Sequence, residues 1–267
     1  MNNTILIGQY WETNSLFHRL DPRTKIVSIV LLMLSFISLE SFISYTIATL
    51  FVAVIIQISK IPVRVMMGGL KPILFILLFT LLYQALFTKG NVVWSWSFLE
   101  ITLEGLKSGL RLVWRIILLI LLASLLTYTT KPLDLAHGLE KLLSPLTKLH
   151  IPVEQFSLMI VIAIRFIPTI LQELDRILLA QRARGYDIKA FSAPKRIFAY
   201  IPILVPLLFT IIGRAEQLSF AVEARAYGKG KGRTSYKTLK FQAVDYQAGV
   251  VVMLMTVMLF VVTIVSD

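Results

Sequence analysis

The residues best suited to specific recognition are two arginines within a short pattern that occurs twice. The first copy is Ala183-Arg184-Gly185-Tyr186, and the second, Ala224-Arg225-Ala226-Tyr227, follows 41 residues later. A guanidinium offers five donors in a rigid fork, which suits a carboxylate or a set of backbone carbonyls. The small neighbouring residues would let a helix end approach another surface closely. The pattern therefore predicts two arginine plugs for two similar acidic-rimmed sockets, as on a dimer or pseudo-dimer.

A simpler interpretation is that the two arginines pair with acidic side chains of their own helices. The candidate carboxylates are those of Glu173, Asp175, Glu216 and Glu223. Side chains three or four residues apart on a helix lie close enough to form such pairs. The repetition of the pattern favours the plugs, and the sequence leaves both interpretations open.

The motifs of catalysis and of metal or nucleotide binding are missing from the sequence. There is no cysteine, and the three histidines do not have the spacing of a ligand pair. The glycine-rich segment 228–234 lacks the spacing of a phosphate-binding loop, and no G-x-S-x-G elbow is present. We therefore expect a protein that is not an enzyme and has no catalytic residue, cofactor or metal site. No aromatics are interleaved with the basic residues, so we expect no nucleic acid partner either.

The composition is that of a membrane protein. Of the 267 residues, 57% are hydrophobic, and the mean hydropathy is +0.77. Five segments are long and apolar enough to cross a bilayer. They are 24–39, 41–58, 71–88, 112–130 and 244–265. We predict an all-α polytopic membrane protein with a membrane domain at 1–130, a cytoplasmic coupling region of long crossing amphipathic helices at 131–240, and a final transmembrane helix at 241–267.

The distribution of basic residues predicts the orientation. Residues 131–240 hold 17 of the 27 Lys and Arg but 8 of the 15 Asp and Glu, a net charge of +9. Loops rich in Lys and Arg stay on the cytoplasmic side. We therefore expect the N-terminus and residues 131–240 in the cytoplasm and the C-terminus outside.

Two further apolar stretches, 153–171 and 197–213, complicate the count of spans. The first contains Arg165, which is costly at the centre of a bilayer, and the second contains Pro202 and Pro206, which interrupt helical hydrogen bonding. If both stretches crossed the membrane, the strongly basic loop between them would lie outside. We therefore expect five spans, with seven as the alternative. The two stretches then begin long helices, one ending at Gly185 and one running from about 195 to 227 and ending at Gly228.

The paired pattern and the N-terminal segment together carry a resemblance to a known family. The N-terminal segment is Leu16-Phe17-His18-Arg19-Leu20-Asp21-Pro22-Arg23-Thr24-Lys25, which is similar to a His-x-Leu-Asp-Pro-Arg-x-Lys signature. With the two Ala-Arg patterns, it resembles the transmembrane T component of energy-coupling factor transporters, prokaryotic importers of vitamins and metal ions. Ala226 departs from the glycine that is commoner in the second pattern.

The resemblance implies a role for the chain in the prokaryotic cell membrane. In that family the two arginines contact two homologous ATP-binding cassette ATPases of the EcfA and EcfA′ type, and a separate S component binds the substrate. By this resemblance Ala183, Arg184 and Gly185 would dock one ATPase, and Ala224, Arg225 and Ala226 the other, so that ATP hydrolysis drives uptake of a vitamin or other micronutrient. Candidate contacts with the S component are Leu158, Ile162, Ile203 and Leu207. The alternative is a self-sufficient secondary transporter with broken helices around Arg165.

Overall fold

The described residues are mostly helical and include one short antiparallel pair of strands. The computed structural model describes residues 10–96, 99–149, 151–186, 192, 197–226 and 239–266. The elements are α1 (Leu16–Arg19), α2 (Pro22–Ile37), α3 (Phe42–Ser59), α4 (Val63–Gly68), α5 (Leu74–Phe87), β1 (Val92–Trp96), β2 (Leu99–Thr102), α6 (Leu103–Thr129), α7 (Pro132–Leu143), α8 (Val153–Ala183), α9 (Ile201–Ala224) and α10 (Ala243–Ser266). The strands β1 and β2 pair antiparallel. The prediction of an all-α polytopic membrane protein is confirmed.

Within the part of the chain that the structure describes, six helices are long and apolar enough to cross a membrane. They are α3, the stretch Val63–Phe87 that includes α4 and α5, α6, α8, α9 and α10. The helix α2 has 16 residues, and at 1.5 Å per residue it is about 24 Å long, which is short for a bilayer core of about 30 Å. By length and composition alone, the described residues therefore contain six candidate spans where five were predicted, because α8 and α9 qualify and α2 does not.

The start of α2 follows from its sequence. Asp21 is the N-cap, its side chain accepting a hydrogen bond from the backbone N–H of Arg23, and Pro22 occupies the first turn. Proline is favoured there because that N–H has no partner within the helix. The helix ends at Ile37, and α3 begins at Phe42. The predicted division of the long apolar stretch near residue 40 is confirmed.

The chain divides into two compact units, residues 1–153 with 239–267, and residues 154–238. In the first unit, α2, α3, α6 and α10 pack around one apolar core. Phe36, Leu39 and Ala48 have no exposed surface, and Leu122 and Leu259 are 1% exposed. Within a bilayer such packing is stabilised mainly by van der Waals contact between helices, because lipid tails are as apolar as leucine.

The turn between α2 and α3 is fixed by a polar group from α6. The carbonyl of Leu39 accepts hydrogen bonds from the hydroxyl of Tyr45 at 3.2 Å and from Nη2 of Arg115. A cation is favourable next to carbonyls at the C-terminal end of a helix. Arg115 therefore ties α6 to the end of α2.

The amphipathic helix α7 packs on the start of α2 through a glycine. A Cβ at Gly138 would lie 2.9 Å from Cβ of Pro22, which is too close for an unstrained contact. Ala136 and Gly138 are buried, while Leu139 and Leu143 remain 40% and 39% exposed. The small residues of α7 therefore make the contact, and its leucines are left partly uncovered.

In the second unit, α8 and α9 contact each other in opposite directions. Nε2 of Gln181 donates to the carbonyl of Pro202 at 3.2 Å, and eight residues earlier on α8, Glu173 pairs with Arg214 at 3.4 Å. The hydroxyl of Tyr186 donates to the carbonyl of Ala199 at 3.0 Å. These bonds place the C-terminal end of α8 beside the N-terminal end of α9.

Two arginine-bearing helix ends as the candidate functional site

Arg184 occupies a defined position in the terminator of α8. The backbone N–H of Tyr186 donates to the carbonyl of Gln181, and that of Gly185 to the carbonyl of Arg182, both at 2.9 Å. These two bonds are the pair that defines a Schellman motif. Gly185 has a φ of +79°, so it is the left-handed residue that such an end requires, as predicted. Arg184 is the last residue before it, the C-cap.

Arg225 occupies the same position at the end of α9. It is the C-cap residue, and the next residue, Ala226, has a φ of +52°. The N–H of Ala226 donates to the carbonyl of Glu223 at 2.8 Å, which corresponds to the bond made by Gly185. Tyr227 and Gly228 lie outside the described residues. The helix therefore ends at Ala224, before the predicted stop at Gly228, because an alanine supplies the left-handed turn.

Both arginines are exposed and unpaired within the part of the chain that the structure describes. Residues 182–185 and 223–226 are all exposed. The carboxylate of Glu173 is used by Arg176 at 3.5 Å and Arg214 at 3.4 Å, and that of Glu223 accepts from Ser219 at 3.4 Å. No described carboxylate lies within ion-pair distance of Arg184 or Arg225. Pairing with acids of their own helices is therefore not how these guanidinium groups are used here.

The two helix ends are far apart. The end of α8 lies beside Ala199 and Pro202, and Arg225 follows at the other end of α9. With a rise of 1.5 Å per residue, the 23 residues from Pro202 to Arg225 span about 35 Å. One small ligand cannot reach both guanidinium groups at that separation. The arrangement suits two binding events on large partners.

The four predicted S-component contacts lie on the more covered sides of their helices. Ile203 is 1% exposed, and Leu158, Ile162 and Leu207 are partly buried. The exposed apolar side chains are their neighbours, including Met159 at 62% and Phe209 at 71%.

Arg165, the centre of the alternative hypothesis, is exposed on α8. That helix is continuous from Val153 to Ala183 with Pro168 inside it, and α9 is continuous with Pro206 inside it. Neither helix has the unwound segment on which a binding site between broken helices depends.

Sequence reasoning missed a buried polar cluster around the N-terminal signature. Asp245, at the start of α10, is 3% exposed. Its carboxylate accepts the backbone N–H of Asp21 at 2.7 Å and that of Gln242 at 2.8 Å. Hydrogen bonds to a carboxylate are among the stronger ones in proteins. Asp245 therefore joins two parts of the chain that are 224 residues apart.

The basic residues of the signature complete this cluster. Arg23 pairs with Asp21 at 3.1 Å and donates to the carbonyl of Leu239 at 3.0 Å. Nζ of Lys25 is buried and donates to the carbonyls of Thr129 at 3.0 Å and His18 at 3.3 Å. The run Asp-Pro-Arg-x-Lys was the available signal, but its partners lie at the other end of the sequence.

The histidine of the signature holds the N-terminal segment in place. Nε2 of His18 lies 2.9 Å from the carbonyl of Trp11, and Nδ1 lies 2.7 Å from the hydroxyl of Ser15. Since a carbonyl only accepts, Nε2 carries the proton and Nδ1 accepts from Ser15. Burial, and secondarily the charge of Lys25, lower the pKa of His18. The neutral ring is therefore the form that the fold favours.

Comparison with known proteins places these features in one family. The model of the family described as CbiQ, Cobalt transport protein, matches residues 13–236. A protein of Ruminiclostridium cellulolyticum, named energy-coupling factor transporter transmembrane protein EcfT, is 43% identical over 96% of each chain. Proteins with the same name from Acidaminococcus fermentans, at 38% identity over 97% of each chain, and Bacillus subtilis, at 39% over 97% of this chain and 98% of the relative, are similar along nearly their whole length. The chain therefore belongs to the family of EcfT transmembrane proteins of energy-coupling factor transporters.

Proposed function

We propose that this chain is the coupling scaffold of an ATP-driven importer. It links two cytoplasmic ATPases to a substrate-binding S component, so that ATP hydrolysis drives uptake of a vitamin or other micronutrient. The observation that carries the proposal is the equivalence of the two helix ends. Each presents one exposed arginine as the C-cap residue before a left-handed turn.

The geometry of the C-cap explains how such an arginine would dock. The backbone of a Schellman motif is held by its own hydrogen bonds, so little backbone entropy is lost when the guanidinium enters a socket. Exposed neighbours of small size, Ala183 with Gly185 and Ala224 with Ala226, leave room for the rim of that socket. Since the ends are about 35 Å apart along α9, each arginine would dock a separate ATPase.

The orientation follows from the same proposal. ATP is available in the cytoplasm, so both arginines must lie on that side, in agreement with the net charge of +9 for residues 131–240. With α2 crossing the bilayer and α8 and α9 remaining on the cytoplasmic side, as in the five-span prediction, the N-terminus would be cytoplasmic and the C-terminus outside.

The S component would contact the apolar surface of α8 and α9. In the most apolar 18-residue stretch of each helix, only 6% is buried in α8 and 11% in α9. Most of each stretch is therefore available to a partner or to lipid. Leu158, Ile162 and Leu207 would lie at the edge of that contact. Ile203 is 1% exposed, so it has almost no surface with which to touch a partner. It would instead pack beneath the side chains that make the contact.

Charge reversal of the two arginines tests the proposal. The variant Arg184→Glu/Arg225→Glu would place a carboxylate in each socket. Loss of a charge partner in a desolvated contact costs about 2–5 kcal/mol, or about thirtyfold or more in affinity. We expect the double variant to lose both ATPases in co-purification from the membrane, and each single variant to lose one.

The matched control is Arg182→Glu, which reverses another exposed charge two residues before Arg184. It should retain both ATPases, and all variants should remain in the membrane fraction. If the double variant keeps as much ATPase as the control does, the docking role is wrong.

A topology measurement distinguishes the alternative secondary transporter. The chain has no cysteine, so a single Cys at Lys189 or Lys195 can be labelled without background. The scaffold requires both positions to be reached only from the cytoplasmic side. Labelling of intact cells by a reagent that does not cross the membrane would favour the carrier in which α8 and α9 span the bilayer.

A further inference from the structure

An ion pair joins α8 to α9 at the same position of both copies of the repeated pattern. The carboxylate of Glu173 accepts from Nη2 of Arg214 at 3.4 Å, and the two residues are 41 positions apart. The same offset separates Arg184 from Arg225, so each partner lies 11 residues before the C-cap arginine of its own helix. At 1.5 Å per residue, both arginines are about 16 Å along their helices from this contact.

The two copies carry opposite charges at this position, although they carry similar residues at several others. Asp175 corresponds to Glu216, and Ala180 to Ala221, at the same offset. Where two copies of a motif meet, the same charged side chain in both would cause repulsion between like charges. Glutamate in one copy and arginine in the other make the contact attractive instead.

The contact is partly withdrawn from water. The side chains of Glu173 and Arg214 are 21% and 38% exposed, and Nε of Arg214 is buried with no hydrogen-bond partner among the described residues. Arg176 also pairs with Glu173, at 3.5 Å, but its side chain is 73% exposed and it lies on the same helix. Among the described residues, Glu173 and Arg214 therefore form the ion pair that ties one arginine-bearing helix to the other.

The end of α9 projects beyond this contact. Of residues 215–226, all but Leu218 and Val222 are exposed, and Arg225 stands near the tip. A tilt of about 10° at the contact would move the end of an arm of about 16 Å by about 3 Å. That displacement is as large as a hydrogen-bond distance. The direction of this arm therefore decides whether Arg225 can enter one socket while Arg184 occupies another.

We propose that the ion pair of Glu173 and Arg214 is a positioning contact, which sets the spacing and relative direction of Arg184 and Arg225. The inference rests on the proposed function, because the spacing matters only if both arginines dock at once. When two binding sites are rigidly linked, the first docking event raises the effective concentration for the second, and this gain is lost if the geometry does not allow both. Loss of the ion pair should therefore weaken retention of the two ATPases although both docking arginines remain.

Distance measurements by pulsed electron spin resonance, on the purified chain without ATPases, test the positioning role. The chain has no cysteine, so spin labels can be attached to single cysteines at Ala180 and Ala221, which are both exposed. We expect Arg214→Gln to shift or broaden the distance distribution relative to the wild type. The matched control is Arg176→Gln, which removes the other cation from the carboxylate of Glu173 without separating the two helices, and it should leave the distribution unchanged.

Co-purification of the ATPases connects this spacing with docking. Arg214→Gln should retain about threefold less of the ATPases than Arg176→Gln, which is the effect expected from loss of an ion pair of this exposure. The exchange Glu173→Arg/Arg214→Glu, made in the Arg176→Gln background, forms the pair again with its charges reversed. It should restore both the distance distribution and the ATPases, which a loss of folding would not allow.

The two measurements separate this proposal from the docking role itself. An unchanged distance distribution in Arg214→Gln, or failure of the charge exchange to restore it, would overturn the positioning role whatever the ATPases do. Full retention of the ATPases by Arg214→Gln would also overturn it, provided that Arg184→Glu/Arg225→Glu releases them. Retention by that double variant would instead refute docking, with the distances between the labels unaffected.

Discussion

Replacement of Asp245 by alanine should destabilise the chain far more than its position near the end of the sequence suggests. The carboxylate is 3% exposed and accepts two backbone N–H groups, from Asp21 at 2.7 Å and from Gln242 at 2.8 Å. A hydrogen bond to a charged group contributes about 1.5–3 kcal/mol, and its loss leaves a buried donor without a partner. Two such bonds give an expected cost of about 3–5 kcal/mol, less than their full sum because water can enter the cavity.

Thermal unfolding of the purified chain in detergent, followed by circular dichroism, measures this cost. At about 2–4 °C per kcal/mol for chains of this size, Asp245→Ala should lower Tm by roughly 6–20 °C. The Tm of Asp245→Asn should lie between those of the wild type and Asp245→Ala. Its Oδ1 can still accept from the N–H of Asp21, whereas its Nδ2 is a donor and faces the N–H of Gln242. The order wild type, Asn, Ala tests the acceptor role rather than the volume of the side chain.

The control is Asp175→Ala, which removes an exposed carboxylate from α8 and should change Tm little. If Asp245→Ala unfolds at the same temperature as this control, the two buried hydrogen bonds do not hold the last helix to the N-terminal signature, and the reasoning is refuted.

Three further changes have directions that follow from the structure. Ala226→Gly should stabilise the end of α9 by about 1 kcal/mol in thermal unfolding, because glycine adopts the left-handed conformation at +52° without steric cost; a lower Tm would contradict the assignment. Gly138→Leu should lower Tm because its side chain would collide with Pro22, whereas Gly68→Leu, in open space, should not. For His18, whose folded pKa lies below its ordinary value of 6.5, stability should be fully present above pH 6.5 and fall as the pH drops below it; a Tm that changes with pH as steeply in His18→Asn would exclude this histidine as the cause.

The sequence was sufficient wherever a local signal determined the structure. Asp21 and Pro22 are local signals for the start of α2, and Gly185 predicted the end of α8. A cap and a left-handed glycine act through bonds to residues only a few positions away. The apolar stretches likewise predicted where the long helices lie, although the observed helices begin and end at somewhat different residues. The helix α6 begins at Leu103 instead of residue 112, since Thr102 caps it by accepting from the N–H of Gly105 and charged residues near a membrane surface continue a helix readily.

The helix α9 shows why other bounds were wrong. Its start was predicted at about residue 195, but the helix begins at Ile201, with Pro202 in its first turn. A proline in that position removes no hydrogen bond, so it marks a helix start rather than an interruption. Its end was predicted at Gly228 because glycine is the usual left-handed residue, and Ala226 takes that conformation instead.

The buried cluster was beyond sequence reasoning for a different reason. The contact between Asp21 and Asp245 closes a loop of 224 residues, and nothing in the local sequence of either aspartate indicates the other. Arg23 and Lys25 belong to residue types that are mostly exposed at protein surfaces. In the structure both are largely covered, and they hold backbone carbonyls from the ends of other segments.

The left-handed backbone of Ala226 helps to explain why the Ala-Arg pattern occurs twice. A residue with a Cβ costs roughly 1–2 kcal/mol in the left-handed region, and a non-glycine residue keeps such a conformation only where its surroundings require it. Gly185 and Ala226 both have a left-handed backbone, with φ of +79° and +52°. Only the glycine, which has no Cβ, adopts this conformation without steric cost. The two ends therefore share a backbone geometry that the second copy keeps at a cost. Two related sockets would explain why the second copy keeps this geometry despite its cost. Each socket would receive a guanidinium from the C-cap residue, immediately before the left-handed turn.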